Sequence, residues 1–185
     1  MAAITVWTKQ HESVLDTLER TGRYTVKRAF IEAELREDAP LVLAVYDWLA
    51  ANGPDAGRRP AEGAYPVWVS FRRETAMLPE PGRVLLELEV EESAITRVNI
   101  AKWGAMLNYA YLPADAADGR RHQREMERRG ISDTEACLSR FYPELKAEIQ
   151  QSWHRLFDPA VRLGSDEDYG NLWEIRREWI RNVIR

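Results

Sequence analysis

Apolar and polar residues alternate near the start of the chain, with Ile4 and Val6 set against Thr5 and Trp7. A period of two predicts a short first strand. The spacing then changes. Val14, Leu15 and Leu18 fall on one face of a helix, and Gly22 ends it, because glycine takes the left-handed C-terminal conformation at little cost. Thr8 stands where it would cap that helix. Residues 24–35 read in two ways, extended from Tyr24 to Val26 and helical from Ala29 to Leu35. A stronger helix runs from about Pro40 to Ala51, with a stripe of Leu41, Val42, Val45, Tyr46 and Leu49, and stops at Asn52-Gly53. The segment from Gly53 to Gly63 reads as a loop.

Alternation returns from Tyr65 to Arg72. Val67, Val69 and Phe71 point one way, and Trp68, Ser70 and Arg72 point the other. The clearest strand carries Val84, Leu86, Leu88 and Val90 against Leu85, Glu87 and Glu89, with the glutamates marking an exposed second face. Ile95 to Val98 suggests another short strand, and Ile100, Trp103 and Leu107 a short helix. The charged stretch 114–130 reads as a solvated loop or an exposed helix. Ser132 and Glu135 have capping-box spacing ahead of Leu138 and Phe141. Pro143 breaks that helix or begins a new one, which carries Leu145, Ile149, Trp153 and Leu156. Two late strands are expected, Leu172 to Arg176 and Ile180 to Ile184. Helices and strands do not alternate strictly. This predicts an α+β fold, a mixed and mostly antiparallel sheet with helices packed on it.

At 185 residues the chain suits one α+β domain over 1–185, large enough for a core without staples. Its 30 acidic residues outnumber 26 Lys and Arg, and the arginines fall in scattered pairs, which argues against nucleic acid as a partner. Cys137 is the single cysteine, so no internal disulfide forms and a four-cysteine zinc site is excluded. That fits a reducing cytoplasm. No stretch approaches the ~20 apolar residues that span a bilayer, and no basic segment with a long apolar run opens the chain, so neither membrane insertion nor a secretion signal is expected.

Phosphate-loop, dinucleotide, nucleophile-elbow and metalloprotease motifs are absent, and His11, His122 and His154 lie far apart, so no metal is expected. Four stretches bear chemistry. Thr8, Gln10 and His11 cluster where the first strand meets the first helix. Trp68, Ser70 and Arg72 share a strand face that offers an aromatic wall, a hydroxyl and a guanidinium to a nucleotide-like ligand. Asn108 and Tyr109 end a short helix. Asn171 and Glu174 lie near the start of a late strand, where Glu174 would otherwise be a solvated or ion-paired carboxylate. Each stretch also has a plain structural reading as capping, packing or solvated surface.

Trp7-Thr8-Lys9-Gln10, Tyr65-Pro66-Val67-Trp68, Leu85 to Val90, Trp103 with Leu107-Asn108, and Leu172-Trp173-Glu174-Ile175 resemble the markers of a bacterial family, the domain-of-unknown-function 3841 family. The resemblance spans nearly the whole chain and brings no assigned activity. A looser likeness is to ADP-ribosyltransferases, on the order of elements. These chains open with a strand bearing a polar residue, then a helix ended by glycine. A middle strand bears Ser or Tyr, and a late strand is begun by a catalytic Glu. The corresponding places here are Thr8 or Gln10, Ser70 and Asn171. The likeness implies an ADP-ribosyltransferase-like domain that holds NAD or a related nucleotide. Thr8, Gln10, Trp68 and Arg72 would bind it, and Ser70 and Glu174 would be the catalytic pair. The chain departs from that pattern: the opening His or Arg is missing, Asn171 replaces the Glu, and Glu174 comes late. NAD cleavage needs a carboxylate against the developing positive charge. The alternative is a non-catalytic domain that binds a protein partner through the 114–130 segment and surface aromatics.

Overall fold

The computed structural model describes residues 2–185. Contacts gather them into two compact units, one running up to Arg97 and resumed by Asp168–Arg185, the other Val98–Glu167. Length alone suggested one domain; the grouping reflects where the chain's contacts fall.

The first unit holds β1 (Ala3–His11), α1 (Ser13–Thr21), β2 (Arg23–Tyr24), α2 (Arg28–Leu35), α3 (Ala39–Asn52), β3 (Val67–Ser70) and β4 (Arg83–Glu91). β5 (Thr96–Asn99) leads out of it, and β6 (Asp168–Leu172), β7 (Ile175–Arg176) and β8 (Ile180–Ile184) complete it. Six strands form one sheet in the order β5-β6-β3-β1-β4-β8, and every registered pairing is antiparallel. The fold is α+β, as the non-alternating order of elements predicts.

β1 and β4 form the spine, with nine consecutive pairs from Ala3↔Glu91 to His11↔Arg83. Val84, Leu86, Leu88 and Val90 alternate along β4, and all four are buried with Val6. Burying each such side chain contributes about 1.5–3 kcal/mol, so the alternation read in the sequence decides which face of the sheet is core. Val14 and Leu18 of α1 and Leu43 of α3 join the same cluster.

Several local expectations need correction. Thr8 does not cap α1: β1 continues to His11, and Glu12 stands at the N-cap without a side-chain bond. Gly22 closes that helix in the left-handed conformation, φ 76°, as expected. The stripe on α3 holds at Val45 and Leu49, both buried, but Leu43 and Ala50 are buried beside them while Leu41 is 46% exposed. β3 stops at Ser70, so Arg72 lies past the strand. The first late strand runs over Asp168–Leu172, earlier than the alternation placed it.

The second unit is helical: α4 (Ile100–Leu107), α5 (Ala116–Arg129), α6 (Asp133–Leu138) and α7 (Pro143–Ser152). The charged stretch is therefore helix. Asp115 caps it by accepting from the backbone N–H groups of Ala117 and Asp118, and Gly130 ends it at φ 66°. The capping box at Ser132 and Glu135 is complete, and Pro143 opens α7. Trp153 is fully buried, and its indole N–H donates to the Ala110 carbonyl at 2.9 Å. No helix among the described residues is long and apolar enough to cross a membrane.

Candidate functional site

β1 and β3 are registered at one pair only, Trp7↔Ser70. Beyond it a side chain takes over from the backbone ladder. Thr8 Oγ1 donates to the Trp68 carbonyl at 2.8 Å, and Gln10 Nε2 donates to Thr8 Oγ1 at 2.8 Å. Thr8 is buried, so these bonds satisfy a hydroxyl that would otherwise be costly there. A cavity of about 680 Å³ opens in this region of the first unit, a size that suits a small-molecule ligand.

Thr8, Gln10, Trp68 and Ser70 all line that cavity. Four of the six residues singled out in the sequence thus converge, although they come from two stretches about sixty residues apart. The other two do not line it. Arg72 is exposed beyond the end of β3. Glu174 sits in an ion pair, with Arg176 Nε at 2.6 Å and Arg23 Nη1 at 3.7 Å from its carboxylate. Asn171 is buried opposite Trp68.

The Ser70 hydroxyl is already engaged. It donates to the Arg72 carbonyl at 2.6 Å and lies 2.5 Å from Thr75 Oγ1, so it shapes the turn that follows β3. The aromatic wall is built in depth. Tyr46 meets Trp68 edge-on with ring centroids 6.5 Å apart, and Tyr65 lies 5.4 Å beyond Tyr46. Burial pushes the Tyr46 phenol up to about 12, against the opposing pull of its hydrogen bond with Trp68. Tyr46 is therefore a neutral phenol at physiological pH.

Glu34, Glu80 and Arg83, which had no signal in the sequence, also line the cavity, together with Lys9. They form a chain of alternating charge. Lys9 Nζ reaches Glu80 Oε1 at 3.2 Å, Arg83 Nε faces the same oxygen at 3.5 Å, and Arg83 Nη2 meets Glu34 Oε1 at 2.5 Å. Both cations are thus matched by carboxylates from within the unit.

The second unit has its own polar cluster. His122 is buried, its Nε2 lies 2.7 Å from Asp133 Oδ1, and its ring stacks on Tyr111 at 4.0 Å. The bond to Asp133 ties α5 to α6. Cys137 is also buried, as a free thiol. Burial pushes that thiol up to about 11, and the Asp133 charge adds to the effect. Only the thiolate is nucleophilic. A thiol-specific reagent at pH 8 should therefore leave the native protein unmodified and label one site after unfolding; rapid native labelling would contradict the buried placement. No cluster of His, Cys, Asp and Glu suited to a metal occurs among the described residues.

A family model described as Domain of unknown function (DUF3841) matches residues 5–181. The chain belongs to this family. The match begins within β1 and ends within β8, covers every helix and strand between them, and includes the Trp7 to Gln10 and Tyr65 to Trp68 stretches that carry the resemblance. No curated protein and no solved structure matches this DUF3841 member.

Proposed function

We propose that the cavity beside β1 and β3 binds a nucleotide such as NAD, in an ADP-ribosyltransferase-like domain that binds without transferring. The observation that carries this reading is the convergence of Thr8, Gln10, Trp68 and Ser70 on one cavity of about 680 Å³. The order β6-β3-β1 supports it, because the three strands that bear the corresponding places are neighbours. Trp68 supplies the wall for a base or nicotinamide ring. Gln10 supplies an amide whose Nε2 is held by Thr8. Binding rather than transfer follows from the carboxylates. Glu174 is ion-paired outside the lining, and Glu34 and Glu80 within it each face a cation.

The test is a thermal-shift titration with NAD, ADP-ribose and ATP. A ligand at a hundred times its dissociation constant stabilises by about 2.7 kcal/mol, which raises the melting temperature by roughly 5–10 °C at this chain length. Stacking on an aromatic ring contributes about 1–3 kcal/mol per base, so Trp68→Ala should weaken binding by about 5- to 150-fold. If none of the three nucleotides moves the transition, the reading fails.

A second reading, recognition of a protein partner, is favoured by one surface feature of the second unit. Leu138 and Phe141 are 51% and 73% exposed, and the Arg140 guanidinium lies 5.3 Å from the Phe141 ring. Aromatic residues and arginine are enriched at binding hot spots. Recovery of a stoichiometric protein with the wild type, and its loss with Phe141→Ser, would support this reading over the first.

A further inference from the structure

Five of the eight residues of α2 are apolar, yet none of its side chains is buried. Ile31 and Leu35 rest only partly on the core, and Phe30 is 53% exposed. The helix begins at Lys27 without a side-chain cap and ends at Arg36, whose φ of 52° is a left-handed conformation that residues other than glycine rarely adopt. Phe30, Ile31, Ala33 and Glu34 nevertheless line the cavity. Met77 and Glu80, from the segment between β3 and β4, line it too, and Met77 is 67% exposed.

Charges fasten α2 at both ends. At its C-terminal end Glu34 meets Arg83 of β4, which also faces Glu80, and Glu80 meets Lys9 of β1. At its N-terminal end Arg28 Nη1 donates to Asp47 of α3 at 3.1 Å and to the Tyr65 hydroxyl at 2.9 Å. Exposed ion pairs hold little against water and salt. An element with few buried contacts belongs to the low-stability end of a protein and opens locally.

We propose that α2 is a lid on the cavity, latched by Glu34 and Arg83, which closes over an occupant so that Phe30 and Met77 become covered. The identity of the occupant rests on the nucleotide reading; the latch is tested without any ligand. Hydrogen exchange on the full chain should show α2 amides exchanging about tenfold faster than those of α3. Glu34→Gln, or a rise in salt from low to high, should speed α2 further by about threefold and leave α1 unchanged. Saturating NAD should slow α2. Exchange in α2 as slow as in α3, or indifference to both the substitution and salt, overturns the lid. So does an NAD-induced rise in melting temperature that leaves α2 exchange unaltered. Fast, latch-sensitive exchange with no response to any nucleotide supports the lid and removes the nucleotide reading instead.

Discussion

Asp118→Ala should destabilise the second unit by roughly 2–3 kcal/mol, the cost of stripping the partner from charged, half-sheltered hydrogen bonds. Asp118 Oδ2 accepts from the Tyr111 hydroxyl at 2.9 Å, from the Ala114 N–H at 2.9 Å and from Arg155 Nη1 at 3.1 Å. Its other oxygen accepts from Arg121 Nη2 at 3.1 Å. Removing the carboxylate takes from Arg155 its charged partner, leaving the Leu112 carbonyl and the Tyr111 ring, and removes the acceptor for the hydroxyl of the ring on which His122 stacks. Burial by itself would raise the Asp118 pKa, but the Ala114 N–H, Tyr111 and Arg121 outweigh it and bring the group down to about 2, from an ordinary 3.8. Asp133 moves the same way, as the His122 and Tyr111 N–H bonds overcome its burial. A carboxylate with a depressed folded pKa stabilises the fold fully above its unfolded pKa, and the stabilisation is lost as pH falls through the folded one. The wild type should therefore lose stability between about pH 4 and pH 2, and its advantage over the isosteric Asp118→Asn should shrink across that window. Calorimetric melting points for the two proteins check this. An equal difference at pH 7 and at about pH 2.5 would show that charge on Asp118 is not what holds the cluster.

Where the sequence could be read, burial and chemistry coincided. β4 was legible because Val84, Leu86, Leu88 and Val90 share one buried face while Glu87 and Glu89 mark the other, Leu85 apart. The capping box at Ser132 and Glu135 was legible because both partners lie within one turn. The extent of β1 was not, since Thr8 and Gln10 look like capping and solvent residues. Their bonds are made to Trp68, sixty residues away, and to each other. The place of β6 was missed for a related reason. Tyr169-Gly170-Asn171 has the composition of a turn, and only pairing with β3 makes it a strand.

The site was legible in part. Trp68 and Ser70 could be grouped because they are two apart on one strand, and Thr8 with Gln10 likewise. The chain of Lys9, Glu80, Arg83 and Glu34 left no trace, because it joins β1, a loop, β4 and α2 through side chains alone. Glu174 stands apart from this grouping. Proximity in sequence to Asn171 suggested a catalytic carboxylate, while β2, brought alongside β7, supplies Arg23 to pair with it.

Gly170→Ala should lower stability by about 1–3 kcal/mol, whereas Gly104→Ala should leave it unchanged or raise it by up to about 1 kcal/mol. Gly170 is buried and pairs with Val69 of β3. A Cβ there would lie 2.6 Å from Ile95 Cγ2 and 2.7 Å from Val69 Cγ2, well inside van der Waals contact, with Phe71 Cζ at 3.2 Å. Neither methyl can retreat freely, because Val69 is buried and Ile95 packs against the core. Relief on the Val69 side means a shift of β3, which carries Val69 between Trp68 and Ser70, so the substitution should also disturb the cavity wall. Gly104, by contrast, is a helical residue with nothing within 4 Å of an added Cβ, and alanine there gains helix propensity. Denaturant titrations of the two variants give opposite signs if β3 and β6 pack as described. A Gly170→Ala protein as stable as the wild type would require those strands to lie further apart, and the β3 wall of the cavity would have to move with them.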